Sequence, residues 1–216
     1  MTAYSELMAL IHGESDPYMN FPDSWKGHYN TDGSERPIFR NTMDRVKPRI
    51  IIEVGTFLGG SAIHMALHAK ANGWDCAILC VDTWLGGVDH WLRAREKLRP
   101  QFGRPSLYYH FIANVIEAGV QGYIVPFTLD SMAAARFLKA SGTRCQLVYV
   151  DGSHEEGDVI SDYNAYWELL DPGGAMLVDD LTNHFPGVLH DWRLFLEHHG
   201  YPQVEIEGEK GLMLKP

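Results

Sequence analysis

The chain has 216 residues, 45% of them hydrophobic and 21% charged, a composition that fits one soluble domain with a sizeable core. A formal net charge of −10 with no Lys/Arg cluster argues against nucleic acid or an anionic membrane surface as the main partner. No apolar run approaches the roughly 20 residues of a membrane helix, and Met1 to Gly13 lacks the basic start and cleavage site of a secretory leader. Cys76, Cys80 and Cys145 are odd in number and sit in or beside apparent core strands, so they read as buried thiols of a cytoplasmic protein, too few for a zinc site.

Residues 1–48 read as an N-terminal helix and lid segment, and 49–216 as the main domain. A short helix is expected over Met1 to Ile11. Asp16 to Pro37 is loop chemistry that carries aromatics, with Tyr18, Trp25, His28 and Tyr29 as candidate lid residues over a ligand. Pro37 to Val46 is expected to be helical. From Arg49 strands and helices alternate. Strands are expected over Arg49–Gly55, Ala77–Asp82, Tyr123–Phe127, Gln146–Val150 and Ala175–Val178. Helices are expected over Ser61–Asn72, Asp89–Leu98, Ser106–Gly119, Ser131–Ala140 and Val188–His199. A further helix is expected to open on a capping box, Ser153-His-Glu-Glu156, and to carry Val159, Tyr163, Tyr166, Trp167 and Leu170 at helical spacing. Tyr201–Glu207 and Gly211–Lys215 read as a terminal antiparallel pair. This alternation implies an α/β fold, an open doubly wound sheet with right-handed crossovers.

Ligands of such sheets collect at the carboxyl ends of the strands, and there the sequence is most distinctive. Glu53-Val-Gly55-Thr-Phe-Leu-Gly59-Gly60-Ser61 ends the first strand and opens a helix. Its glycines permit a tight turn and a close ligand, while Glu53 would repel a pyrophosphate yet suit a cationic amino group. Asp82 ends the second strand, where a carboxylate can accept from two ribose hydroxyls. Thr83 and Trp84 follow it, the indole being a candidate cover for an adenine face. Asp130 and Ser131, past the third strand, are candidates for the adenine side, although a plain helix cap explains Asp130 as well. Leu147-Val-Tyr-Val-Asp151-Gly-Ser-His154 and Leu177-Val-Asp179-Asp180 are apolar runs that stop on aspartate. Three carboxylates at two strand ends suit one hard cation, and His154 suits a proton acceptor beside it. Adjacent strand residues face opposite ways, so Asp179 and Asp180 can share an ion only where the strand has ended. His154, placed in a helix's first turn, is expected to be neutral because the positive helix end disfavours imidazolium.

Glu53-x-Gly55-x-x-x-Gly59, Asp82, Asp151 and Pro172-Gly173-Gly174 resemble the class I S-adenosylmethionine-dependent methyltransferases. Val81-Asp-Thr-Trp84, Tyr149-Val-Asp-Gly-Ser-His154 and Val178-Asp-Asp180 resemble, within them, the small-molecule O-methyltransferases related to the macrocin and rhamnosyl enzymes. The resemblance implies a Rossmann-like, seven-stranded, mostly parallel sheet with an antiparallel last strand. It implies S-adenosylmethionine as cofactor, held by Glu53, Gly55, Thr56, Gly59, Ser61, Asp82, Thr83, Trp84, Asp130, Ser131 and Asp151. It implies Mg2+ or another divalent cation on Asp151, Asp179 and Asp180, with His154 and Asp151 as the catalytic pair and a small-molecule hydroxyl as acceptor. It implies at least a dimer. Three alternatives stand beside this reading: a metal-independent methyltransferase using His154 as base, a nicotinamide-dependent oxidoreductase, and a non-catalytic cofactor-binding protein. The oxidoreductase lacks its Gly-x-Gly-x-x-Gly.

Overall fold

The computed structural model describes residues 1–27, 36–200 and 204–216. Two helices, α1 (Ala3–His12) and α2 (Pro37–Val46), precede the first strand, β1 (Ile50–Val54). There follow α3 (Gly60–Ala71), β2 (Ala77–Asp82), α4 (Val88–Arg93), a 3-10 turn (Arg95–Leu98), α5 (Leu107–Glu117) and β3 (Ile124–Thr128). The second half runs α6 (Ser131–Ala140), β4 (Cys145–Val150), α7 (Asp158–Leu169), β5 (Leu170–Val178), α8 (Pro186–His198), β6 (Val204–Glu207) and β7 (Lys210–Leu214). The seven strands form one sheet in the order β3-β2-β1-β4-β5-β7-β6, and β7 runs antiparallel to both neighbours. The expected seven-stranded Rossmann-like sheet with its reversed last strand is therefore present.

Side-chain alternation along each strand builds two cores. Ile52, Val54, Leu79, Val81, Val148, Val150, Met176 and Val178 face a layer made by α1, α6, α7 and α8. Ile51, Ile78, Leu147, Tyr149 and Leu177 face α2, α3 and α5. Both faces are covered, which is why these strands read as unbroken apolar runs. The two N-terminal helices are part of these layers. Ala3 and Leu7 of α1 are buried in the first core, and Ile38, Phe39 and Met43 of α2 in the second.

Three local expectations change. The helix expected over Asp89–Leu98 is only α4, six residues long, followed by the 3-10 turn. No residue of α4 is buried, so nothing pays for extending it. The strand expected to begin at Ala175 starts at Leu170 and runs through Pro172-Gly173-Gly174, with a register shift against β4 between Cys145 and Leu147. The capping box is not formed: α7 begins at Asp158, five residues past Ser153. The start of α7 is held from outside, by the buried carboxylate of Asp191 on α8, which accepts from the amides of Gly157 (2.7 Å) and Ile160 (3.0 Å). Ser153 serves the loop instead, its Oγ accepting from the Glu155 amide at 3.2 Å. All three cysteines are free and buried. No helix among the described residues is long and apolar enough to cross a membrane.

Candidate active site

The carboxyl ends of β1, β2, β3 and β4 meet around a cavity of about 660 Å³, in the size range of sites that enclose a small molecule. The glycine loop after β1 forms one wall. Gly55 has φ +83°, and a Cβ there would lie 1.9 Å from the carbonyl oxygen of Asp151, so only glycine lets the ends of β1 and β4 approach this closely. Phe57 and Trp84 also occupy the left-handed region, at φ +51° and +52°. Each is held there by the same side chain. Asp82 accepts from the Phe57 amide on Oδ2 and from the Trp84 amide on Oδ1, both at 2.7 Å. Burial pushes the Asp82 carboxyl up, and these two amides pull against it. Left-handed non-glycine residues typically cost about 1–3 kcal/mol each and gather at functional sites. Of the seven such residues among those described, Phe57, Trp84 and Asp180, the last at φ +60° just past β5, stand at this end of the sheet.

Glu53 does not line the cavity. It is fully buried behind Ser61, whose hydroxyl donates to it, and the Cys80 thiol approaches it at 3.7 Å. Burial raises its pKa to about 7, against the hydrogen bond from Ser61. Thr56 is buried with its hydroxyl beside Glu53 and Cys80, and it lines a smaller cavity of about 170 Å³ together with Ser61, Tyr149, Asp151, Asp179 and Lys210. Thr83, Asp130 and Ser131 line the main cavity. Asp130 caps α6 through the amides of Met132 and Ala133, both at 3.1 Å. Ser131 donates to Asp162 at 2.7 Å, and burial lifts that carboxyl to about 6. Trp84 is not brought to the cavity. Its ring packs on Tyr108 and Phe111, and its indole N–H donates to the Phe57 carbonyl at 2.8 Å. The part it plays at the site is its backbone amide.

At the opposite end the aspartates separate. Strand β5 ends at Val178, and the left-handed turn at Asp180 sends the two neighbouring carboxylates to different partners. Asp180 points to His154, with Oδ2 2.8 Å from Nε2. Asp179 turns inward to Lys210 and the Tyr149 hydroxyl. The same hydroxyl oxygen lies 3.2 Å from Asp151, with its one hydrogen directed to the nearer Asp179. Asp151, His154 and Asp180 each offer an atom within 4.8 Å of the others, whereas Asp179 stands outside that group. Burial, then the charges of Asp179 and Asp180, hold the Asp151 carboxyl well above the usual range. His154 rests on the Phe185 ring, with centroids 4.0 Å apart. Burial pulls its imidazole down, but the hydrogen bond and charge of Asp180, with Asp89 behind, outweigh this and hold its pKa above the ordinary histidine value. The expectation of a depressed pKa therefore fails. With α7 starting at Asp158, His154 lies in a loop facing carboxylates and not in a helix's positive first turn.

Residues 52–181, more than half of the chain, match the family model described as methyltransferase domain. The chain belongs to this family. The resemblance to class I S-adenosylmethionine-dependent methyltransferases is thus confirmed, and the oxidoreductase alternative is set aside. No curated protein matches the methyltransferase by sequence. Its fold is shared with several solved structures. The calicheamicin methyltransferase CalS11 aligns at TM-score 0.61 and 18% identity, over 98% of this chain and 91% of that one. TomG of Streptomyces achromogenes, an O-methyltransferase of tomaymycin synthesis in complex with SAM, aligns at TM-score 0.60 and 18% identity, over 99% and 90%. An O-methyltransferase from Bacillus cereus in complex with SAH aligns at TM-score 0.57 and 14% identity, over 99% and 98%.

Two residues of the methyltransferase site escape sequence reasoning. Lys210 lies in Glu-Gly-Glu-Lys-Gly, which reads as a solvated hairpin, and Asp162 sits mid-helix with no motif around it. Of the expected lid residues, His28 and Tyr29 lie outside the described residues. Tyr18 is not at the site: its hydroxyl donates to the Ile124 carbonyl, at the amino end of β3 and so at the far edge of the sheet. Trp25 stacks on Tyr109 of α5 at 4.7 Å, outside the cavity lining. Residues 25–27 brace α5.

Proposed function

We propose that the methyltransferase transfers a methyl group from S-adenosylmethionine to a hydroxyl of a small molecule, beside the cluster of Asp151, His154 and Asp180. The observation that carries this reading is one cavity that holds both halves of the chemistry: the glycine loop with Asp82 on one side, and a carboxylate-oriented histidine on the other. The residues fit the cofactor. The glycine loop opens directly into α3, whose free amides suit a carboxylate, and Asp82 retains acceptor capacity for hydroxyls. The buried Thr56 hydroxyl backs the loop beside Glu53 and Cys80. Asp130, Ser131 and Asp162 would meet the base. Glu53 acts one layer back by orienting Ser61. When bound, the cofactor supplies an activated methyl group on a sulfonium.

On the acceptor side His154 takes the proton. Its Nε2 is held by Asp180 at 2.8 Å, whereas Nδ1 stands 3.8 Å from the Asp89 carboxylate and is the less tightly held, accepting atom. A positioned base of this kind contributes about 10²–10⁴-fold to rate. The donor set also fits a hard divalent cation. Magnesium is commonly bound through one or two carboxylates and keeps several waters, so Asp151 and Asp180 suffice to hold it. Asp151, buried beside two like charges, is the group that such an ion would relieve. The ion would polarise the acceptor oxygen. A metal-independent reaction by His154 is the second reading, favoured by Lys210, which already neutralises Asp179.

Two measurements test the assignment. Calorimetry should show S-adenosylhomocysteine binding to the purified chain, and lack of binding by folded protein would overturn the reading. Methyl transfer to sugar and phenolic hydroxyls in excess EDTA separates its two forms: lost turnover supports the cation, full turnover the metal-independent reaction. We also propose that the chain works as a dimer or larger oligomer in the cytoplasm.

A further inference from the structure

The site contains a cation of its own. Lys210 opens β7, yet its side chain is only 5% exposed. Its ammonium contacts Asp179, lies 3.3 Å from the Tyr149 hydroxyl, and stands over the rings of Phe39 (5.4 Å) and Tyr149 (5.5 Å). Both oxygens of Asp179 are engaged, and Oδ2 is engaged twice. Lys210 and Tyr149 take Oδ2, and the Asp180 amide donates to Oδ1 at 2.8 Å. The left-handed turn at Asp180 then directs the next carboxylate the other way, to His154.

We propose that Lys210 is a positioning residue that withdraws Asp179 from the cation-ligand set and so sets how weakly this site binds a divalent ion. The proposal rests on the reading that Asp151 and Asp180 hold that ion. Lys210 acts in two ways. It occupies the carboxylate that would otherwise turn toward the ion, and its fixed positive charge beside Asp151 opposes a second cation. Both effects point the same way, and neither requires any change in the backbone. The aromatic walls and the burial keep the ammonium in place, because an ion pair shielded from water is little screened. The hairpin β6–β7 and helix α2, which brings Phe39, thereby become determinants of the acceptor site although neither carries a residue of the glycine or aspartate motifs.

The test is Mn2+ binding to the full chain, followed by electron paramagnetic resonance without cofactor or acceptor. Lys210→Met should bind Mn2+ about 10–100-fold more tightly than wild type, the same size with opposite sign as the loss that follows removal of partners that hold metal ligands. Damage to the fold would not strengthen binding. The double variant Asp179→Asn/Lys210→Met removes both charges together and should return to within about threefold of wild type, since by this account Asp179 contributes nothing in the native site. If Lys210→Met binds no more tightly than wild type, Lys210 does not limit the site and the proposal fails. It also fails if the double variant binds about tenfold more weakly than wild type, because Asp179 would then be a native ligand. Should Lys210→Met not fold, with its buried carboxylate unpaired, the comparison of double variant with wild type decides alone. Adding Asp180→Asn to the tighter-binding variant tests the underlying reading separately. Retained tight binding would remove Asp180 from the ion site while leaving the effect of Lys210 intact.

Discussion

Glu53 offers a direct check on the electrostatics of the glycine loop. The carboxyl is fully buried, and burial lifts its pKa from 4.5 to about 7. Below about pH 4.5 it is protonated in both folded and unfolded chains and the shift has no effect on stability. As pH rises from there, the unfolded chain releases this proton while the folded chain keeps it, so stability falls. The fall is complete once the pH passes the folded value. A rise from 4.5 to about 7 corresponds to about 3 kcal/mol, order of magnitude, lost across that window. Glu53→Gln has no proton to release and keeps an oxygen for Ser61. Any packing cost of the amide is constant with pH, so it offsets the curve without changing its slope. Urea unfolding of both proteins from about pH 4.5 to about pH 8 should show wild type losing about 3 kcal/mol relative to Glu53→Gln as pH rises. Parallel curves would refute the argument, and a wild type that gains on the variant with rising pH would show Glu53 to be ionised and paired.

Three further outcomes are expected. Asp82→Asn leaves one oxygen to serve two strained loops and should weaken S-adenosylhomocysteine binding by about tenfold or more in calorimetry, since a hydrogen bond to a charged group is worth about 1.5–3 kcal/mol. His154→Gln should lower the rate of methyl transfer by about 10²–10⁴-fold while S-adenosylhomocysteine binding stays near wild type, and loss of both together would place His154 in the cofactor site. Asp191→Ala strips the start of α7 of its cap and should lower unfolding free energy by about 1–2 kcal/mol in a denaturant titration, with an unchanged stability removing Asp191 from that role.

The chain sequence alone determined the order of strands and helices and the identity of the business end of the sheet. Strands buried on both faces need unbroken apolar runs, and a polar residue that stops such a run stands at the strand's end; Asp82, Asp151 and Asp179 are legible for that reason. The glycine loop is equally local, since only glycine fits where Gly55 meets the backbone of Asp151. What depends on partners far away in the chain was not legible. Ser153 and Glu156 satisfy a local capping pattern, but Asp191, 34 residues beyond Gly157, took the amides that start α7. That shift moved His154 from a helix end to a carboxylate and reversed the direction of its pKa. Trp84 looked like a ligand's neighbour, but the hydrophobic cost of exposing an indole drew it between Tyr108 and Phe111. Adjacent Asp179 and Asp180 are indistinguishable as letters. Only the end of β5, the left-handed turn after it, and a lysine 31 residues away decide that one faces Lys210 and the other faces His154. Electrostatic partners are chosen in three dimensions, over distances set by packing, and a sequence carries no direct record of them.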